Sequence, residues 1–165
     1  MTSPWNAEQL YSSNSNEWYT PSYIFDPLDD EFEFELDACA TEDSAKCDAY
    51  FTKKDNALLK DWSAAANIVW VNPPYGRGIG KWIEKAYKES LKGCTVIVLT
   101  YVRSDTKWWH DWALKASEIR MIKGRIHFMR GDLKTTNASP APSCVLVFSE
   151  DKRRPVIKAW SPEKE

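Results

Sequence analysis

The apolar run Asn67-Ile68-Val69-Trp70-Val71 closes on Asn72-Pro73-Pro74-Tyr75 and opens at once into Gly76-Arg77-Gly78. A β-rich run that ends in a polar residue, two prolines and an aromatic delivers a rigid loop to the carboxyl end of a buried strand. In open α/β sheets that end is where ligands bind. At average proline usage, a chance match to this tetrapeptide is on the order of one in a thousand or less. An ordinary strand terminator with a Pro-Pro turn is therefore the minority reading.

The segments downstream extend an α/β pattern. Ile79, Trp82, Ile83, Ala86, Tyr87 and Leu91 recur at helical spacing, which predicts a helix ending near Gly93. Thr95 to Val102 is a continuous apolar run, as in a central parallel strand covered on both faces. Asp105 can cap a helix through about Ala116 that carries Trp108, Trp109 and Trp112. Glu118 to Lys123 and Ser143 to Phe148 read as two further strands. The connection between them, from Gly124 to Pro142, is long, basic and punctuated by glycine and proline. Long loops in compact domains are usually functional or disordered.

Upstream, Thr20 is a natural N-cap with Pro21 at the first helical position, and Pro27 should end or kink the short helix that follows. Phe32-Glu33-Phe34-Glu35-Leu36-Asp37 alternates apolar and polar and then meets Ala38-Cys39-Ala40-Thr41, so it reads as the first core strand, ending in an acid. A carboxylate at a strand's edge needs a partner, such as an amine, backbone N–H groups or ribose hydroxyls; capping the next segment is a compatible role. No G-x-G-x-x-G follows, so a glycine loop cradling phosphate is not supported. Asp48 to Thr52 is a candidate short strand. Only an abbreviated crossover fits between Asp37 and Asn67, which trims the sheet. Asp55 could reach a ligand from a neighbouring strand end, or stand as a solvated loop aspartate.

Composition bounds what remains. With 165 residues, 43% hydrophobic and 28% charged, the chain suits one domain with a single core. We read 1–17 as a flexible arm around Ser12-Ser13-Asn14-Ser15-Asn16, 18–150 as that domain, and 151–165 as a charged tail that frays. Lys plus Arg (22) nearly balances Asp plus Glu (24), so phosphates, if bound, must meet a local patch. No run reaches the length of a membrane span and the N-terminus lacks a signal-peptide pattern, so the expected compartment is cytoplasm. Cys39, Cys47, Cys94 and Cys144 are far apart and only His110 and His127 add imidazoles, which favours reduced thiols over disulfides or a metal site.

The tetrapeptide suits one chemistry well. An asparagine side-chain carbonyl and the carbonyl of the next proline can accept two hydrogen bonds from one amino group, and Tyr75 offers a flat face for stacking a planar ring. An exocyclic nucleobase amine satisfies these features, and so does the planar amide of a glutamine. In an aminopurine the amine lone pair is delocalised into the ring. Accepting both protons draws the nitrogen towards tetrahedral geometry and frees that pair, which is transition-state electrostatics and needs no low-pKa base.

With these residues in view, the chain resembles the small phage-type, Dam-like DNA N6-adenine methyltransferases that use S-adenosylmethionine. The resemblance spans roughly Trp18 to Phe148. It rests on Trp18-Tyr19-Thr20-Pro21, on Leu36-Asp37-Ala38-Cys39-Ala40-Thr41, on Lys46-Cys47 with Tyr50-Phe51-Thr52, on Asp55 with Leu58 and Trp62, and on Asn72-Pro73-Pro74-Tyr75. It implies a Rossmann-like class I methyltransferase fold, α/β, with a trimmed, mostly parallel sheet, a C-terminal antiparallel hairpin and helices on both faces. It implies that Asn72 to Tyr75 hold the target adenine, that Thr20, Pro21, Asp37, Ala38 and Cys39 line the methionine end of the cofactor, and that Asp55 approaches its adenosine half. The late segment Arg125 to Ser143 would bring an aromatic, here Phe128, beside the flipped base. Phosphate anchors would come from Arg77, Lys81, Arg103, Lys107, Arg125, Arg130 and Lys134, each of which, taken singly, also fits an ordinary solvated charge.

The implied partner is double-stranded DNA, met by a monomer or homodimer without a metal, in the cytoplasm of a bacterial host. Two departures stand out: the loop after the first strand is Asp-Ala-Cys-Ala where the family generally has glycine, and no segment is large enough for a separate target-recognition domain. The alternatives are a methyltransferase acting on RNA or on a protein glutamine amide, and a non-catalytic nucleic-acid-binding subunit.

Overall fold

A computed structural model describes residues 18–130, 137–150 and 155–162. The expected arm at 1–17 and the candidate Lys134 lie outside the described residues. In chain order the elements are α1 (Ser22–Phe32), β1 (Leu36–Asp37), β2 (Ala49–Tyr50), a 3-10 turn (Ala57–Leu59), α2 (Trp62–Ala65), β3 (Ile68–Val71), α3 (Ile79–Ser90), β4 (Thr95–Tyr101), α4 (Lys107–Asp111), a second 3-10 turn (Ala113–Lys115), β5 (Glu118–Ile122), β6 (Ser143–Phe148) and β7 (Val156–Trp160).

The strands form one seven-stranded sheet in the order β2-β1-β3-β4-β6-β5-β7. β2, β1, β3 and β4 are mutually parallel, β6 runs against both β4 and β5, and β5 pairs parallel with β7. This is the mostly parallel sheet with a late antiparallel hairpin that was expected. Register brings Asp37 beside Trp70, Val71 beside Val98, Tyr101 beside Ser143 and Met121 beside Cys144. The carboxyl ends of β1, β3, β4 and β5 and the start of β6 therefore share one edge, where a ligand site belongs.

Two apolar layers sandwich the sheet. On one face Ile24, Phe25 and Leu28 of α1 pack on Ile97, Leu99, Val145 and Val147. On the other, Ile79, Ile83 and Ala86 of α3 and Trp109 of α4 pack on Val96, Val98, Cys144 and Leu146. Alternate residues of β4 face opposite layers, which is why its sequence is apolar throughout.

Several expectations are corrected. The alternation from Phe32 to Asp37 is not a six-residue strand: α1 runs to Phe32, Glu33 closes it in the left-handed region at φ 57°, and only Leu36–Asp37 pair in the sheet. Phe32 and Phe34 stack with each other, their ring centroids 6.0 Å apart, and Phe34 packs on Phe25 and Trp70. Aromatic packing against α1, not pleating, thus produces the apolar spacing. Pro27 lies inside α1, whose buried Ile24, Phe25 and Leu28 anchor it on both sides of the missing N–H. Thr20 does not cap α1; the cap position is Pro21, which makes no side-chain bond. Thr106, not Asp105, caps α4, its hydroxyl accepting from the Trp109 N–H. The tail does not simply fray, because Val156–Trp160 form β7 along β5.

Candidate active site

The site begins where β3 ends. Asn72 leaves the sheet and Pro73 and Pro74 stiffen the chain. Gly76, at φ +137°, then takes a backbone conformation closed to other residues, and α3 starts three residues later. The Asn72 amide is tied on both sides. Its Nδ2 donates to the Trp18 carbonyl at 3.1 Å and to the Thr20 hydroxyl at 3.0 Å. Its Oδ1 accepts from the Tyr75 hydroxyl at 3.0 Å. The same hydroxyl lies 3.4 Å from the Leu99 carbonyl.

The Tyr75 ring stacks on Tyr101 at 4.3 Å between centroids, with Phe128 edge-on at 5.9 Å. Burial pushes the Tyr75 phenol well above its ordinary value, and the neighbouring Tyr101 adds to this, so it stays protonated and remains a donor. Tyr75, Tyr101 and Phe128 thus pack on one another as an aromatic cluster that holds the Tyr75 hydroxyl against the Asn72 amide oxygen.

Beside the tetrapeptide lies a cavity of about 680 Å³. The segments at 38–41 and 51–58 wall it, with Trp18, Tyr19, Trp82 and Asn72 to Tyr75 on the remaining sides. Among its lining, Phe51 and Trp82 offer flat faces, Ser44, Thr52 and Asn56 offer polar groups, and Lys53 supplies a positive charge. Asn56 takes the left-handed conformation at φ 53°, which an asparagine tolerates better than most residues.

The two aspartates singled out from the sequence do not line this cavity. Asp37 is 2% exposed, and its carboxylate accepts from the Cys39 N–H at 3.2 Å and the Lys46 N–H at 3.1 Å. It thereby holds the 38–46 loop onto the sheet. Burial raises its pKa to about 6, against the lowering effect of those N–H groups. Asp55 is exposed and accepts from the Thr52 N–H and hydroxyl, which lowers its pKa. Burial lifts the Cys39 thiol to about 12, with the Asp37 charge adding to it, so the thiol is no nucleophile at neutral pH. Ala38 and Cys39 do line the cavity; Pro21 is buried at the start of α1, off its wall.

The cations are dispersed. Arg77 and Arg130 are exposed, and Arg103 lies 4.0 Å from Asp105. Lys107 is ion-paired with Asp111 one turn along α4. Arg125 donates to the Ser139 carbonyl at 3.3 Å and so ties the two arms of the late loop. Phe128 is buried with its ring edge-on to Tyr75.

Sequence reasoning missed three neighbours of the tetrapeptide. The Trp18 carbonyl is backbone, the Tyr101 stack follows from β4 register, and Trp82 was assigned only to the apolar face of a helix. Among the described residues no helix is long and apolar enough to cross a membrane, and no cluster of side chains could hold a metal ion.

Comparison with known proteins identifies similar chains. A family model described as DNA N-6-adenine-methyltransferase (Dam) matches residues 8–162. A DNA N-6-adenine-methyltransferase of Haemophilus phage HP1 (strain HP1c1) is 29% identical over 140 residues, covering 82% of this chain and 80% of that protein. A DNA N-6-adenine-methyltransferase of Escherichia phage T1 is 25% identical over 152 residues, covering 82% and 63%. The putative methyltransferase YfdM of Escherichia coli (strain K12) is 42% identical over 65 residues, covering 36% and 71%.

Proposed function

The chain belongs to the DNA N-6-adenine-methyltransferase (Dam) family and is an adenine-specific DNA methyltransferase, and from that premise we propose how its residues carry out the transfer. The methyl donor is S-adenosylmethionine, held in the cavity beside the tetrapeptide. The lining suits that group: flat faces at Phe51 and Trp82 for a purine, polar groups at Ser44, Thr52 and Asn56 for ribose hydroxyls, and aromatic walls that favour a cation. When bound, the donor supplies an electrophilic methyl on a sulfonium.

The protein's own part is to hold and polarise the amine. An adenine taken out of the duplex, at a cost of a few kcal/mol, is received at the cavity wall formed by Asn72 to Tyr75. Its N6 protons are accepted by the Asn72 Oδ1 and the Pro73 carbonyl. The Tyr75 hydroxyl donates to the same Oδ1, whose second lone pair is left for the amine. As both protons are accepted, the N6 lone pair leaves conjugation and points at the donor. The N–C bond would form as the methyl–sulfur bond breaks to leave a neutral thioether, and the cationic N6 then gives up one proton to solvent, so no basic side chain is needed for the attack itself. Double-stranded DNA is met by the loops at the carboxyl edge of the sheet, where the exposed Arg77 can meet a phosphate.

The observation that carries this reading is that Asn72, Pro73, Pro74 and Tyr75 all line the same cavity as the 38–41 segment. A ring held by the tetrapeptide is then adjacent to a cofactor held by the loops. Transfer of labelled methyl from S-adenosylmethionine into an adenine-containing duplex, by the unaltered protein and by Asn72→Ala, tests it. Asn72→Ala should reduce turnover by at least about a hundredfold while cofactor affinity stays within about threefold. A large loss of cofactor binding would place Asn72 in the wrong half of the site.

A further inference from the structure

An asparagine amide can sit in two orientations that exchange its oxygen and nitrogen, and only one presents an acceptor to an incoming amine. In this protein the choice is made by a segment far away in the sequence. Trp18 and Thr20 both receive Asn72 Nδ2, one through a backbone carbonyl and the other through a hydroxyl. A flipped amide would bring Oδ1 up to the Trp18 carbonyl, two acceptors with no proton between them. Thr20 is 3% exposed, so water does not compete for the contact.

The segment is itself fixed. The Tyr19 N–H donates to the Met129 carbonyl at 2.8 Å, and the Met129 N–H returns to the Tyr19 carbonyl at 3.0 Å. One residue beyond Thr20, Pro21 starts α1. Thr20 takes no part in capping that helix, so its hydroxyl is directed at Asn72.

We propose that Thr20, together with the Trp18 carbonyl, is a positioning residue for methyl transfer: it holds the Asn72 amide with Oδ1 towards the reacting amine. This rests on the role assigned to Asn72 above. It also separates Thr20 from the cofactor, whose cavity Thr20 does not line.

Thr20→Val keeps the shape and removes the acceptor, whereas Thr20→Ser keeps the hydroxyl. Single-turnover methyl transfer to an adenine-containing duplex, and titration with S-adenosylmethionine, would be measured for both variants beside the unaltered protein and Asn72→Ala. Thr20→Val should slow the transfer step about tenfold, with the KM for DNA and the cofactor affinity within about threefold, and Thr20→Ser should recover the rate to within about threefold. An unchanged rate in Thr20→Val, or a loss confined to cofactor affinity, overturns the proposal. So does a Thr20→Ser variant as slow as Thr20→Val.

If Asn72→Ala also retains transfer, the role of Asn72 falls and this one with it. If Asn72→Ala is dead while Thr20→Val is fast, only the role of Thr20 falls. Hydrogen exchange at the Asn72 side-chain amide of the unaltered protein is independent of any variant's folding. Slow exchange of both protons supports the locked amide, and fast exchange overturns it.

Discussion

Asp37 is a carboxylate whose surroundings work against each other: burial disfavours its charge while two backbone N–H groups accept that charge. Burial is the larger effect, and the folded-state pKa of about 6 lies above the ordinary 3.8. Between those two values the folded protein holds a proton that the unfolded chain has lost, so stability falls as pH rises through this window. The loss is about 2 kcal/mol between pH 4 and pH 6. Urea unfolding of the unaltered protein and of Asp37→Asn across that range should show the difference, and the two profiles should run parallel above pH 7.

Much at this scale was legible beforehand. Asn72-Pro73-Pro74-Tyr75 was legible as a rigid loop at a strand's carboxyl end because proline fixes the backbone whatever surrounds it. The partners of Asn72 were not legible: one is a main-chain oxygen, and the other, Thr20, carries a local helix-start pattern that points to a different use. Asp37 was legible as a strand-end acid, but nothing local shows that its charge would be consumed by the loop that follows.

At the scale of elements, α3 and α4 meet where a side chain is missing. A Cβ on Gly80 would lie 2.9 Å from the Cβ of Trp108. The helices approach this closely only because residue 80 is glycine. Gly80→Ala should cost about 1–3 kcal/mol, read as a lower urea midpoint, despite the better helix propensity of alanine. The amphipathic stripe of α3 and the unbroken apolar run of β4 were readable because each pattern has one period and one explanation. The stretch from Phe32 to Asp37 was misread because a two-residue alternation also arises when aromatics after a helix fold back onto it. β7 was missed for the opposite reason: Val156, 54% exposed, and Ile157, 67% exposed, bury too little to leave an apolar signature, and backbone pairing with β5 holds the strand.

Across the whole molecule, Arg120 joins parts that local structure leaves separate. Its guanidinium makes a two-pronged contact with Glu31 of α1 at 2.6 and 2.7 Å and reaches Glu118 at 2.9 Å, while Lys158 of β7 meets the other oxygen of Glu118. The pair with Glu31 holds the Arg120 charge more firmly than usual. The Glu31 side chain is half exposed, which moderates the gain. Arg120→Ala should therefore cost about 1–3 kcal/mol and loosen α1 and β7 together, visible as faster hydrogen exchange in both.

The bond from Asn72 to the Trp18 carbonyl spans 54 residues, and Trp18 is steadied in turn by the pairing of Tyr19 with Met129. A growing polypeptide that has passed residue 75 already carries the complete tetrapeptide, yet it has no oriented amide until residue 129 has left the ribosome and folded back. The orientation of this amide is therefore a property of the folded sheet and not of the local chain around residue 72.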